Sequence, residues 1–146
     1  MPQLPPSPGP GDAAGTRRGR FRSYGHYGYP DIPDGALRTT APELAKFLLM
    51  VIGDGTYAGT QVLGPAIVQE MRRPQIPALA SEQALGWYYA DVAGHALIGH
   101  DGGDDGVSTA MFYEPASGIG AIVLANGEGS AVDAVLRRLL RRSAEL

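Results

Sequence analysis

The chain has no cysteine, one lysine and one asparagine among its 146 residues, and no apolar run near the ~20 residues of a membrane span. Without cysteine there are no disulfide staples, no thiolate zinc sites and no cysteine nucleophiles, while the redox compartment stays open. Charge is also scarce: 12 basic residues against 15 acidic ones leave a net −3, which provides no bulk attraction to nucleic acid. Met1–Pro10 is half proline and contains no apolar stretch of the kind a secretory signal carries. What is present is apolar: hydrophobic residues make up 44% of the chain, enough for one ordinary domain at a length too short for two. The expectation is a water-soluble domain without a nucleic-acid or membrane partner; its localisation is open.

Residues 1–22 read as a disordered tail. Five prolines (Pro2, Pro5, Pro6, Pro8, Pro10) precede a run of glycine and arginine, with little apolar surface to offset ordering entropy. The arginines Arg17, Arg18, Arg20 and Arg22 read as solvated. Residues 23–146 read as the domain. It opens on a Tyr/Gly/Pro-rich loop, Ser23 to Gly35, whose aromatics should lie against something and which ends in a turn at Pro33-Asp34-Gly35.

Thr40-Ala41-Pro42-Glu43 is a capping box with proline in the first turn. Leu44, Phe47, Leu48 and Val51 follow at helical spacing, and Gly53 ends the helix. A second helix is expected over Pro65–Arg72, with Pro74 driving Arg73 out of the helical region. From residue 84 the period changes to two. Leu85, Trp87 and Tyr89 alternate with their neighbours, Ala93-Gly94 turns the chain, and Val107, Thr109, Met111 and Tyr113 share a strand face. Residues 114–118 then turn into the apolar run Ile119 to Ala125. Connections this short permit only an antiparallel meander. A last helix, about residues 130–144, sets the stripe Val132, Val135, Leu136, Leu139 and Leu140 against Arg137, Arg138, Arg141 and Arg142. The fold class is α+β: preceding helices, a meander and a C-terminal helix covering one sheet face.

The segment Gly99 to Gly106 carries the most chemical interest. Its glycines allow tight turns and close approach of backbone to a ligand. A histidine, His100, beside bare backbone N–H groups suits an oxyanion or carboxylate; a plain glycine-rich hairpin with a surface histidine fits the same spacing. Metal binding is disfavoured. His95 and His100 are five apart on a strand and point to opposite faces, and Asp101, Asp104 and Asp105 lack the alternation of a calcium loop. No metal or other cofactor is expected.

Four stretches together resemble a known family. Pro33-Asp34-Gly35-Ala36-Leu37-Arg38-Thr39-Thr40-Ala41-Pro42-Glu43-Leu44-Ala45-Lys46-Phe47 is similar to the segment P-x-G-x-L-x-S/T-T-x-x-D/E-L-A-x-F of the serine hydrolases that include class C β-lactamases, D-alanyl-D-alanine carboxypeptidases and related esterases. Leu85-Gly86-Trp87 resembles that family's G-L-G-W strand. His100 to Gly106 resembles its H-x-G-G-x-x-G motif, and Glu114-Pro115 through Asn126 its P-x-x-x-G-x-x-V-V-L-x-N hairpin. The ordered set covers roughly residues 23–146 and implies a partial β-lactamase/transpeptidase-like fold. By this resemblance His100 takes the place of the family's third motif, Lys/His-x-Gly, which helps to bind the substrate's anionic or carbonyl group. Gly103 matches the residue whose N–H supplies half of the oxyanion hole, and Gly102 keeps the strand clear. Trp87 and Tyr113 are expected in the core, without a role in the site.

The family acylates a serine in Ser-x-x-Lys, assisted by a tyrosine in Tyr-x-Asn. Here the residue three before Lys46 is Glu43, and the residue two before Asn126 is Leu124, so neither motif exists within these 146 residues. No Gly-x-Ser-x-Gly elbow replaces them. The family's first strands and first helix are also without a counterpart, which would leave the meander's edge and one face open to self-association. Three readings follow: the C-terminal portion of a serine hydrolase, needing an N-terminal half before it can act on a β-lactam, a D-Ala peptide or an ester; a non-catalytic binding module that retains the substrate cleft; or a truncated product without function.

Overall fold

Ala14–Arg17 (β1) and Arg20–Ser23 (β2) pair antiparallel, with Ala14 opposite Ser23 and Arg17 opposite Arg20. This ladder lies inside the segment expected to be a tail. That expectation rested on the prolines and on the scarcity of apolar residues; the prolines end at Pro10, and none stands in 14–23 to block a ladder. The structure, a computed structural model, describes residues 14–17, 20–28, 34–35, 37–128 and 131–143. The first part of the expected Pro33-Asp34-Gly35 turn, and the whole proline-rich segment 1–10, lie outside the described residues.

Thr40 caps the first helix. Its backbone is extended (φ −109°, ψ 157°), and its hydroxyl accepts the Glu43 amide at 3.4 Å. Helix α1, Ala41–Ile52, ends at Gly53, whose N–H bonds back to the Leu49 carbonyl at 2.9 Å. Two short strands follow, β3 (Thr56–Tyr57) and β4 (Thr60–Gln61), joined through Ala58-Gly59 with both residues at positive φ. Two-residue strands are too short to show alternation in a sequence. Helix α2 spans Pro65–Arg72, and Arg73 adopts the extended backbone that Pro74 requires (φ −72°, ψ 129°).

Four strands then form the meander in the order β5 (Tyr88–Val92), β6 (His95–Asp104), β7 (Val107–Glu114), β8 (Ile119–Ala125), every pair antiparallel. The glycine-rich stretch is strand, not loop: β6 runs through His100, Gly102 and Gly103 to Asp104 before turning at Asp105-Gly106. Helix α3, Val132–Ser143, closes the chain.

The sheet has a helical layer on each face. On one, Leu97, Phe112, Ala110 and Ala121 pack against Val132, Leu136 and Leu140 of α3. On the other, Ile98 and Tyr113 pack with Leu48 and Val51 of α1, Val68 of α2, and Trp87. Trp87 and Tyr113 are both buried, as expected; Phe47 stacks on Trp87 (ring centroids 6.0 Å), and Trp87 meets Tyr113 edge-on at 6.2 Å. The face that the sequence left bare is thus covered over the row Ile98–Tyr113–Gly120, where Leu48 presses on Gly120. Coverage then fades. The row His100–Met111–Ile122 is partly open, and Gly102–Thr109–Leu124 more so.

A candidate ligand edge on strand β6

Backbone direction along β6 follows from its two turns. A two-residue turn closes on a hydrogen-bonded pair, and bonded and non-bonded pairs alternate from there. Counting from Asp104–Val107 directs the backbone groups of Gly102, His100 and Ile98 at β7. Counting from Val92–His95 directs those of Leu97 and Gly99 at β5. The two counts agree. Because β5 stops at Tyr88, opposite Gly99, the backbone N–H and C=O of Asp101 and Gly103 point to an edge that no strand occupies among the described residues.

His100, Gly102 and Gly103 lie together on this overhang. The imidazole of His100 folds over the edge: its Nδ1 bonds the Asp101 carbonyl, and its ring stands edge-on to Tyr88 with centroids 5.4 Å apart. A carbonyl can only accept, so Nδ1 is the donor and Nε2 is left as the ring's accepting nitrogen. The residue is exposed. A Cβ at Gly102 would stand 2.7 Å from the Thr109 hydroxyl, a contact that rotation of the threonine side chain relieves. At Gly103 a Cβ would meet nothing within 4 Å, so packing does not call for glycine there.

Residues that the sequence did not single out build the surroundings. The Tyr88 hydroxyl donates to Asp101 Oδ1 at 2.8 Å, and Tyr88 also packs edge-on to Phe112 at 5.4 Å. Burial first, and then the Asp101 carboxylate, hold the Tyr88 phenol protonated well above the ordinary range. At the strand's far end, the Tyr27 hydroxyl donates to the Asp105 carbonyl at 2.6 Å. The Arg38 guanidinium holds this loop by bonding His26 Nδ1 and, at 2.7 Å, the Tyr27 carbonyl. Of the loop's aromatics, Tyr27 thus lies against the tip of the β6–β7 hairpin, while Tyr29 lies outside the described residues. The pairs Tyr88–Asp101 and Tyr27–Asp105 are 13 and 78 residues apart in sequence, so no local pattern could have linked them.

On the opposite side of the sheet, a groove of about 450 Å³ runs between Asp101–Gly103, Ser108-Thr109 and the first turn of α3. The two histidines are separate: His95 Nδ1 bonds Glu114 Oε1 at 3.1 Å, far along β6 from His100. Among the described residues no three His, Asp or Glu side chains converge as metal ligands. No described helix is long and apolar enough to cross a membrane. The edge thus offers outward backbone N–H groups, a histidine with a free nitrogen and a carboxylate held by a phenol. Donors of this kind suit an acyl or anionic group, and the edge itself carries no activated nucleophile.

A family model described as Beta-lactamase matches residues 2–146. No curated protein and no solved structure matches the chain.

Proposed function

Because the chain belongs to the beta-lactamase family, we propose that it supplies the substrate-anchoring and oxyanion half of a serine-hydrolase site and that these 146 residues are inactive until Ser-x-x-Lys and Tyr-x-Asn are provided from outside them. One observation carries this reading: β6 overhangs β5 so that Gly103 directs its N–H, and His100 its imidazole, at the same unoccupied edge. In this reading the Gly103 N–H donates to the carbonyl oxygen as it becomes an oxyanion. With Nδ1 committed to the Asp101 carbonyl, it is the imidazolium form of His100 that presents an Nε2–H to anchor the substrate's carboxylate or carbonyl, and Gly102 leaves room for the acyl chain. The substrate class is an acyl compound of the kind the family acts on: a β-lactam, a D-Ala peptide or a simple ester.

The test is intact mass after incubation with a penicillin and with an activated ester, on protein that melts cooperatively. No adduct is expected. A covalent adduct on any serine would overturn the proposal, because this chain has no lysine placed to activate one. With a complementary half present, His100→Ala should lower kcat by about 10²–10³-fold, the usual worth of one oxyanion or anchoring donor.

The two packed cores, one on each sheet face, favour a second reading in which the domain stands alone as a non-catalytic binding module. A titratable, saturable heat of binding for a penicillin or a D-Ala-D-Ala peptide, without turnover, would support the module.

A further inference from the structure

The tip of the β6–β7 hairpin has little ladder to hold it. Strand β5 stops opposite Gly99, and the pairing with β8 stops at Ser108–Ala125. Beyond the pair Gly103–Ser108 the hairpin therefore has no further strand beside it among the described residues. A two-stranded ribbon is marginal by itself. Its turn, Asp105-Gly106, also differs from the others. Gly106 has φ +73° while Asp105 keeps a negative φ, the pattern of a type II turn, which splays the strands it joins. The turns Ala58-Gly59 and Ala93-Gly94 have positive φ at both residues and so match the strand twist. Two side chains from distant parts of the chain grip the central peptide of the Asp105-Gly106 turn. The Tyr27 hydroxyl donates to its carbonyl oxygen, that of Asp105, at 2.6 Å, and Glu128 Oε1 accepts from its N–H, that of Gly106, at 3.0 Å. The carbonyl and N–H of one trans peptide point opposite ways, so the plane is held from both sides. Each support is itself braced. Ser108 Oγ donates to the Gly127 carbonyl at 2.9 Å on the Glu128 side, and Arg38 donates to the Tyr27 carbonyl at 2.7 Å on the other.

We propose that Tyr27 and Glu128 are positioning residues for the candidate edge, on the functional reading above: fixing the Asp105–Gly106 peptide sets where the Gly103 N–H meets a ligand. Gly103 lies two residues from the turn and belongs to the last pair that a neighbouring strand supports. Without the two side chains, the central peptide is free to turn over towards the type I pattern, and the ribbon is free to twist about its own axis. Either change re-aims the Gly103 N–H. Tyr27 and Glu128 touch no ligand in this arrangement. They act through the turn, from 78 residues before Asp105 and 22 residues after Gly106.

Amide hydrogen exchange, followed residue by residue by NMR, tests the grip without any ligand. Tyr27→Phe and Glu128→Ala should each speed exchange of the Gly102, Asp104 and Thr109 amides by about five-fold, the worth of one hydrogen bond. Leu97, Ile98 and Phe112 should keep their wild-type rates. Glu128→Gln, whose amide oxygen can still accept from Gly106, should exchange like the wild type. Titration with benzylpenicillin at millimolar concentration then reads the site. The Gly103 amide resonance should shift in the wild type; Tyr27→Phe and Glu128→Ala should weaken the binding several-fold, and Glu128→Gln should restore it. Unchanged exchange in Tyr27→Phe and Glu128→Ala, or a rise spread evenly over the whole sheet, would overturn the proposal. So would a penicillin affinity that stays constant while the tip exchanges faster. A wild-type Gly103 resonance that never shifts would instead sink the functional reading, and the exchange rates alone would then decide the grip.

Discussion

Gly99 packs directly against the β7 backbone. A Cβ there would collide with the Met111 carbonyl oxygen and the Phe112 ring, and would stand 2.6 Å from Phe112 Cα. Two of the three obstacles belong to backbone, so the neighbours cannot turn aside. Gly99→Ala is expected to destabilise the fold by about 1–3 kcal/mol, the usual range for overpacking, measured as a fall in urea midpoint with m unchanged. The same change at Gly103, where a Cβ meets nothing, should leave stability within ~0.5 kcal/mol. In a sequence these two glycines look alike. Only the register shows that one is a packing glycine and the other a position whose N–H is free.

At the scale of elements, the turns carry a local cost. Ala93-Gly94 joins β5 to β6 with φ +58° and +84°, and Ala58-Gly59 joins β3 to β4 with φ +48° and +80°. Both residues of such a turn need positive φ, which suits asparagine far better than alanine. Ala93→Asn should therefore raise stability by about 1 kcal/mol, read as an increase in thermal midpoint with no change in circular dichroism. Helices were the most legible elements. Thr40, Pro42, Gly53, Pro65 and Pro74 each act within one turn of backbone, so α1 and α2 begin and end where these residues require. Strand β6 was less legible. Its glycines give no alternation that would show how far the strand runs, and pairing with β7 carries it to Asp104. In α3, Val135 and Leu139 read as core by spacing, yet they stay exposed while Val132, Leu136 and Leu140 make the packed face.

For the molecule as a whole, acid should loosen the packing at the end of the sheet far from the candidate site. Glu114 accepts from the Ser117 hydroxyl at 2.6 Å and from His95 at 3.1 Å; the hydroxyl first, then the imidazole, hold its carboxyl below the ordinary range. A depressed folded-state pKa contributes stability that is present above the unfolded value of 4.5 and is lost as pH falls through the folded value. Wild type should therefore unfold at a higher temperature than Glu114→Gln at neutral pH, and the two melting curves should converge below pH 4.5. A gap that persisted at low pH would place the effect in packing, not in ionisation.

Several features follow from the sequence alone because the physics behind them is local or additive. The capping box, the two prolines bounding α2, the Ala93-Gly94 turn and the short connections establish three helices flanking an antiparallel meander. The ordered motifs around His100 establish the family, and single-residue counts exclude Ser-x-x-Lys and Tyr-x-Asn. Tertiary structure alone decided which of those residues share a surface. Where β5 stops relative to β6 determines that Gly103 and Asp101 face an open edge. How far α1 and α3 reach across the sheet determines which rows are sealed and which stay bare. Both depend on the relative lengths of elements brought together over long stretches of chain, and no local pattern of residues encodes such a difference in length.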